Sequence, residues 1–164
     1  MINLSEDSAF SHQVTFITHP SIQSKAFATW LAERLSASVV LQNINKPLAQ
    51  RLLKDSVILF DIAVSNKKLN SVWRDIIRLQ ADNPRLLIIN SAQKYELYEM
   101  AQWPALYGVF RHDDDESRLI EGVKAVLNGE QTAELSVMHP AMYAADHVSA
   151  PAENSPLTER NVKS

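Results

Sequence analysis

The stretch VILFDIAVSN, Val57 to Asn66, sets four apolar residues before a single acid, Asp61, and then breaks the pattern. A short unbroken apolar run of this kind reads as a strand covered on both faces, as strands of parallel sheets are. A carboxylate at its end is costly to bury, so it needs either a partner or a job.

Working outward, four further strands and five helical segments alternate with this one. QVTFIT (Gln13–Thr18), SVVLQNI (Ser38–Ile44), RLLIIN (Arg85–Asn90) and YGVFR (Tyr107–Arg111) join SVILFD (Ser56–Asp61) as strands. SKAFATWLAERL carries Phe27, Trp30, Leu31 and Leu35 at helical spacing. PLAQRLLK (Pro47–Lys54) reads as a short helix with Pro47 at its start. KLNSVWRDIIRLQ is amphipathic, and KYELYEMAQ is a helix halted by Trp103-Pro104. DDESRLIEGVKAVLNGE opens acidic, as a helix start favours, and closes with Gly129. Five βα units in sequence predict an α/β, doubly wound, five-stranded parallel sheet of the flavodoxin-like order 2-1-3-4-5. In such sheets functional groups gather at the carboxyl ends of the strands, where Asp61 falls.

Composition narrows the chemistry. Apolar residues are 46% of the 164 and charged residues 21%, with a net charge of −3. That is ordinary for a globular protein and lacks the basic footprint of a nucleic-acid surface. No cysteine is present, so disulfides, thiol catalysis and thiolate metal sites are excluded. No apolar run approaches the roughly 18 residues that span a bilayer. The acidic start MINLSEDSAF has no signal-peptide pattern, and a cytoplasmic location with no membrane partner is expected. With three glycines in the chain, neither a phosphate-binding loop nor a nucleophile elbow is found, and no enzyme is predicted. Trp30 and Trp73 read as core residues, and Trp103-Pro104 as a shape element before the fifth strand.

The domain expected from these elements covers residues 1–131. Residues 132–148 (TAELSVMHPAMYAADHV) form a weak extra helix, a candidate dimer element through Leu135, Val137, Met138, Met142 and Tyr143. SAPAENSP, residues 149–156, reads as a linker. LTERNVKS, residues 157–164, reads as the opening of a further helix, and so of a domain cut short.

Taken together, these residues resemble a family. The five-unit domain, the acid ending strand three, the helix closing in LNGE, the linker and Leu157, Thr158 and Arg160 are similar to LuxR/FixJ-type response regulators. Within that class the segment QWPALYGVFRHDDDESRLIEGVKAVLNGE (Gln102–Glu130) most resembles the CsgD/VpsT group of biofilm-matrix regulators. The resemblance implies a receiver domain that dimerises. It also implies DNA binding through a C-terminal helix-turn-helix domain missing from this chain.

It implies a phosphorylation pocket as well, whose positions fall on Asp61 as acceptor, Thr18 and His19 at the end of strand one, Asn90 and Ser91 at strand four, and His112 at strand five. Phosphoryl transfer needs an acid pair to hold Mg²⁺, and Thr18 and His19 supply none. The reading is a regulator that works without phosphorylation, with Asp61 accepting hydrogen bonds from Thr18 or Ser91 or pairing with His19 or His112. The alternatives are an orthodox phospho-switch and a His19–Asp61–His112 metal site. Some members of the group bind cyclic di-GMP through a tetrad after the Gly-Glu helix end. Here that frame falls on Thr132, Ala133, Glu134 and Leu135, which lack its aromatic and arginine. No cofactor is expected, and cyclic di-GMP stands as an alternative input.

Overall fold

The computed structural model describes residues 13–92, 99 and 101–130 of the chain. Five strands, β1 (Gln13–Thr18), β2 (Ser38–Asn43), β3 (Val57–Asp61), β4 (Arg85–Ser91) and β5 (Leu106–Arg111), form one sheet. Every pairing is parallel and the order is β2-β1-β3-β4-β5, as the alternation predicts. The central strand β3 is buried along its whole length, which is why its sequence shows no alternation.

Three helices are described: α1 (Ile22–Leu35), α2 (Lys67–Gln80) and α3 (Glu116–Leu127). Each start has a local cause. Ser21 and Ser24 cap α1 reciprocally, each backbone N–H donating to the other's hydroxyl, at 3.0 and 2.7 Å. Asn66 caps α2 by accepting from the Leu69 N–H at 2.9 Å. Glu116 lies in the first turn of α3, where a negative charge suits the helix dipole. At the other end of α3, Gly129 takes φ +86, and the Arg85 guanidinium donates to the carbonyls of Val126 and Leu127.

α1 and α3 cover one face of the sheet. Leu31 and Leu35 of α1 and Ile120, Val123 and Val126 of α3 pack with Phe16, Leu59, Leu87 and Phe110. Gly122 allows α3 to lie flat on Phe110: a Cβ there would stand 2.3 Å from the ring's Cζ. The alternate strand residues, Ile58, Phe60, Leu86 and Ile88, are equally buried on the opposite face with Trp73 and Ile77 of α2. The Trp73 indole N–H donates to the Ile44 carbonyl at 2.9 Å, joining α2 to the turn after β2.

One expected element is absent. Residues 47–54 run as an irregular connection instead of a short helix. The buried Gln42 side chain is the physical reason. Its Nε2 donates to the carbonyls of Asn43 and Pro47 at 2.9 and 3.0 Å, and its Oε1 accepts from the Ala49 N–H at 2.9 Å. One carboxamide thus ties the Pro47 carbonyl and the Ala49 N–H back to the end of β2. Leu52 still reaches the interior, while Leu53 is left half-exposed. The expected helix KYELYEMAQ, residues 94–102, falls mostly on residues 94–98 and 100, outside the described residues. So do the extra helix of 132–148, the linker of 149–156 and the final segment of 157–164.

Candidate functional site

Asp61 closes β3 at the carboxyl edge of the sheet and is only 7% exposed. The register that sets Ile17 opposite Phe60 brings the last residue of β1, Thr18, alongside it. The Thr18 hydroxyl donates to Asp61 Oδ2 at 2.7 Å, and Thr18 is itself buried. The second oxygen, Oδ1, accepts from Asn90 Nδ2 at 3.1 Å and from the Ala63 N–H at 3.2 Å. The Ala63 bond begins the short 3₁₀ turn Ile62–Val64, for which Asp61 is the cap. A buried carboxylate is thus held by three neutral donors shared over both oxygens. Hydrogen bonding of this kind offsets its desolvation.

Asn90 reaches the carboxylate because the backbone turns there. Its φ is +63, in the left-handed region that asparagine tolerates better than most residues. The β4–β5 register shifts over the same interval, between Ile88 and Ser91. Ser91 is buried, and its carbonyl accepts from the His112 N–H at 2.9 Å.

Of the expected pocket residues, then, Asp61, Thr18 and Asn90 are brought into contact. The two histidines are not. His19 and His112 are both exposed, and no ion pair to Asp61 occurs among the described residues. Among the described residues no three His, Asp or Glu side chains are grouped as a metal ion would need. The acidic run after β5 serves local order. Asp114 accepts from the Arg111 N–H at 2.7 Å, and Asp113 pairs with the Arg111 guanidinium at 3.1 Å. The positions Thr132, Ala133, Glu134 and Leu135 lie outside the described residues.

Residues 17–133 match the family model described as VpsT-like, receiver domain. The chain belongs to this receiver family. It is 31% identical over 123 residues to the CsgBAC operon transcriptional regulatory protein of Escherichia coli strain K12. That match takes in 75% of this chain and 56% of the relative. It is 29% identical over the same length to the probable csgAB operon transcriptional regulatory protein of Salmonella typhimurium, with the same coverage. The chain therefore spans little more than half the length of these regulators. Among solved structures, the regulatory domain of the master biofilm regulator CsgD superposes with a TM-score of 0.73 at 27% identity, covering 79% of this chain and 99% of that domain. A response regulator from Colwellia psychrerythraea, with a TM-score of 0.55 at 13% identity, shares the fold.

The chain is thus a VpsT-like receiver domain, similar in fold and sequence to the CsgD regulatory domain. At the carboxyl edge of its sheet stands Asp61, with a threonine and an asparagine against it. Among the described residues no helix is long and apolar enough to cross a membrane.

Proposed function

We propose that this receiver controls a DNA-binding regulator of biofilm-matrix genes through association between copies, with no phosphoryl group transferred to Asp61. The observation that carries this reading is the Thr18–Asp61 hydrogen bond of 2.7 Å. An aspartate that attacks a phosphoryl group needs an oxygen free to approach in line. It also needs Mg²⁺ to neutralise the equatorial oxygens, and that hard cation takes carboxylate ligands. Here Oδ2 is taken by a hydroxyl donor and Oδ1 by two N–H donors, and the neighbouring strand end supplies a threonine. The names of the csg operon regulators support transcription control as the output. On this reading the domain is non-enzymatic and cytoplasmic. It acts as a homodimer, because paired half-sites in DNA call for paired readers. The reading module is a helix-turn-helix domain that begins within residues 157–164, and residues 132–148 supply the dimer element.

Incubation with acetyl phosphate and Mg²⁺, followed by intact mass measurement, tests the proposal. The expected result is an unmodified chain, with sedimentation showing a dimer in the same buffer. A species heavier by one phosphoryl group, lost in Asp61→Asn, would overturn it.

A further inference from the structure

A pocket of about 290 Å³ lies at the amino edge of the sheet, the edge opposite Asp61. Gln13 opens β1 and Arg85 opens β4, and both line it with Ser56, the residue before β3. Leu53, Lys54, Asp55 and Leu127 complete the wall. The volume falls just under the range of drug-sized sites, about 300–1,000 Å³, so its occupant is small.

Two polar groups in this wall have no partner among the described residues: the Ser56 hydroxyl and the Arg85 Nε. Both atoms are closed to bulk water, and a buried polar group left unpaired costs stability. The two residues are neighbours where β3 and β4 begin, and the Arg85 N–H donates to the Ser56 carbonyl at 3.0 Å. The rest of the guanidinium is committed. Nη1 donates to the Val126 and Leu127 carbonyls at 3.2 and 3.1 Å, and Nη2 stands 3.9 Å from Asp55 Oδ1. The same Asp55 oxygen accepts from Asn83 Nδ2.

The character of an occupant follows from what is left over. Arg85 Nε offers an N–H and Ser56 an O–H. The exposed Lys54 offers an ammonium for which no ion pair occurs among the described residues. These are donors, and their complement is an acceptor. Lys54 and Arg85 against Asp55 leave one positive charge in excess, which suits a monoanion, whereas a dianion would meet Asp55 uncompensated. Leu53 and Leu127 set apolar surface beside the donors. We propose that this pocket binds a small monocarboxylate with a short apolar body, its carboxylate accepting from Arg85 Nε and Ser56 and facing Lys54. Because both buried atoms are covered as the chain stands, binding includes a side-chain rearrangement at the mouth, where Leu53 and Lys54 are exposed. The guanidinium that takes the carboxylate also holds the last carbonyls of α3, so occupancy bears on the helix end at Gly129. The site is independent of the reading of Asp61 given above.

Butyrate is the probe. The full chain is titrated at constant ionic strength, with chloride as the balancing anion, and amide chemical shifts are recorded. The expected result is saturation, with shifts concentrated at residues 54–56, 85 and 127–129. Lys54→Gln and Ser56→Ala should each weaken binding about tenfold, since each removes a hydrogen bond to a charged group. Asp55→Asn, which keeps an acceptor for Asn83, should strengthen it about threefold by removing the opposing charge. Neutral butyramide should give no saturation. Ser56→Ala should melt close to the parent chain, because its hydroxyl has no bond to lose, and a drop of several degrees would overturn its role as a donor to the ligand. Shifts that never saturate, shifts confined to other surfaces, or affinity unchanged in Lys54→Gln would overturn the site. Butyramide binding as tightly as butyrate, or inorganic phosphate binding more tightly, would overturn the ligand class.

Discussion

Trp73 and Trp30 occupy opposite faces of the same sheet, and their fates differ. Trp73 is 1% exposed, and its indole N–H is spent on the Ile44 carbonyl. Trp30 is half-buried, with an arginine over its ring and a cleft beside it. Both sit in helices at spacings that read as core. The difference lies in what each helix faces. α2 closes its side of the sheet with Trp73 and Ile77. α1 and α3 share their side, and they meet over Phe110 without filling the space at the carboxyl edge. Among the described residues, one face encloses its indole and the other keeps a cleft beside its own.

The contrast is sharpest in stability. Trp73→Ala removes a full indole and orphans a buried carbonyl, and should cost about 3–5 kcal/mol in urea unfolding. If the loss fell below that of Trp30→Ala, the two faces would not differ as described. Thr18→Val leaves one oxygen of a buried carboxylate without its donor and should cost about 1.5–3 kcal/mol. The companion Asp61→Asn, in which an amide replaces the carboxylate, measures how much of that loss belongs to the charge. Gly122→Ala drives a methyl into the Phe110 ring and should cost about 1–3 kcal/mol, with part of the loss recovered in Gly122→Ala/Phe110→Leu. A neutral result would show that the α3 face yields more readily than its packing implies. The smallest change is expected for Trp30→Leu, about 0.5–1 kcal/mol, because apolar contact remains and the indole was never enclosed.

Much of the fold could be read from period and punctuation. The unbroken run Val57–Phe60 required cover on two sides, and the alternating helical segments supplied it. The strand limits at Gln13–Thr18 and the helix limits around Lys67–Gln80 followed from apolar spacing and flanking turn residues. The failure over Pro47–Lys54 has a non-local cause. Leu48, Leu52 and Leu53 have a helix-like spacing, yet Gln42, outside the segment, captures its backbone groups. At the site, the resemblance offered Thr18, Ser91, His19 and His112 as partners of Asp61, and the Thr18 hydroxyl is the one found on its Oδ2. Asn90 was harder, since its amide reaches the carboxylate through a left-handed backbone turn and a register shift, neither of which has a period. The cleft left no motif at all, because it arises where two helices fail to meet.

The Gln42 carboxamide carries a consequence for how the domain breathes. A crossover helix holds its amides in a ladder, so that opening one turn strains the next. Between β2 and β3 a single side chain does that holding, and its release would free the Ala49 N–H and the Pro47 carbonyl together. Deuterium should therefore enter this connection as one small cooperative block, well before it reaches β3 or α2. In Gln42→Leu the block should exchange fastest of all while the sheet keeps its protection.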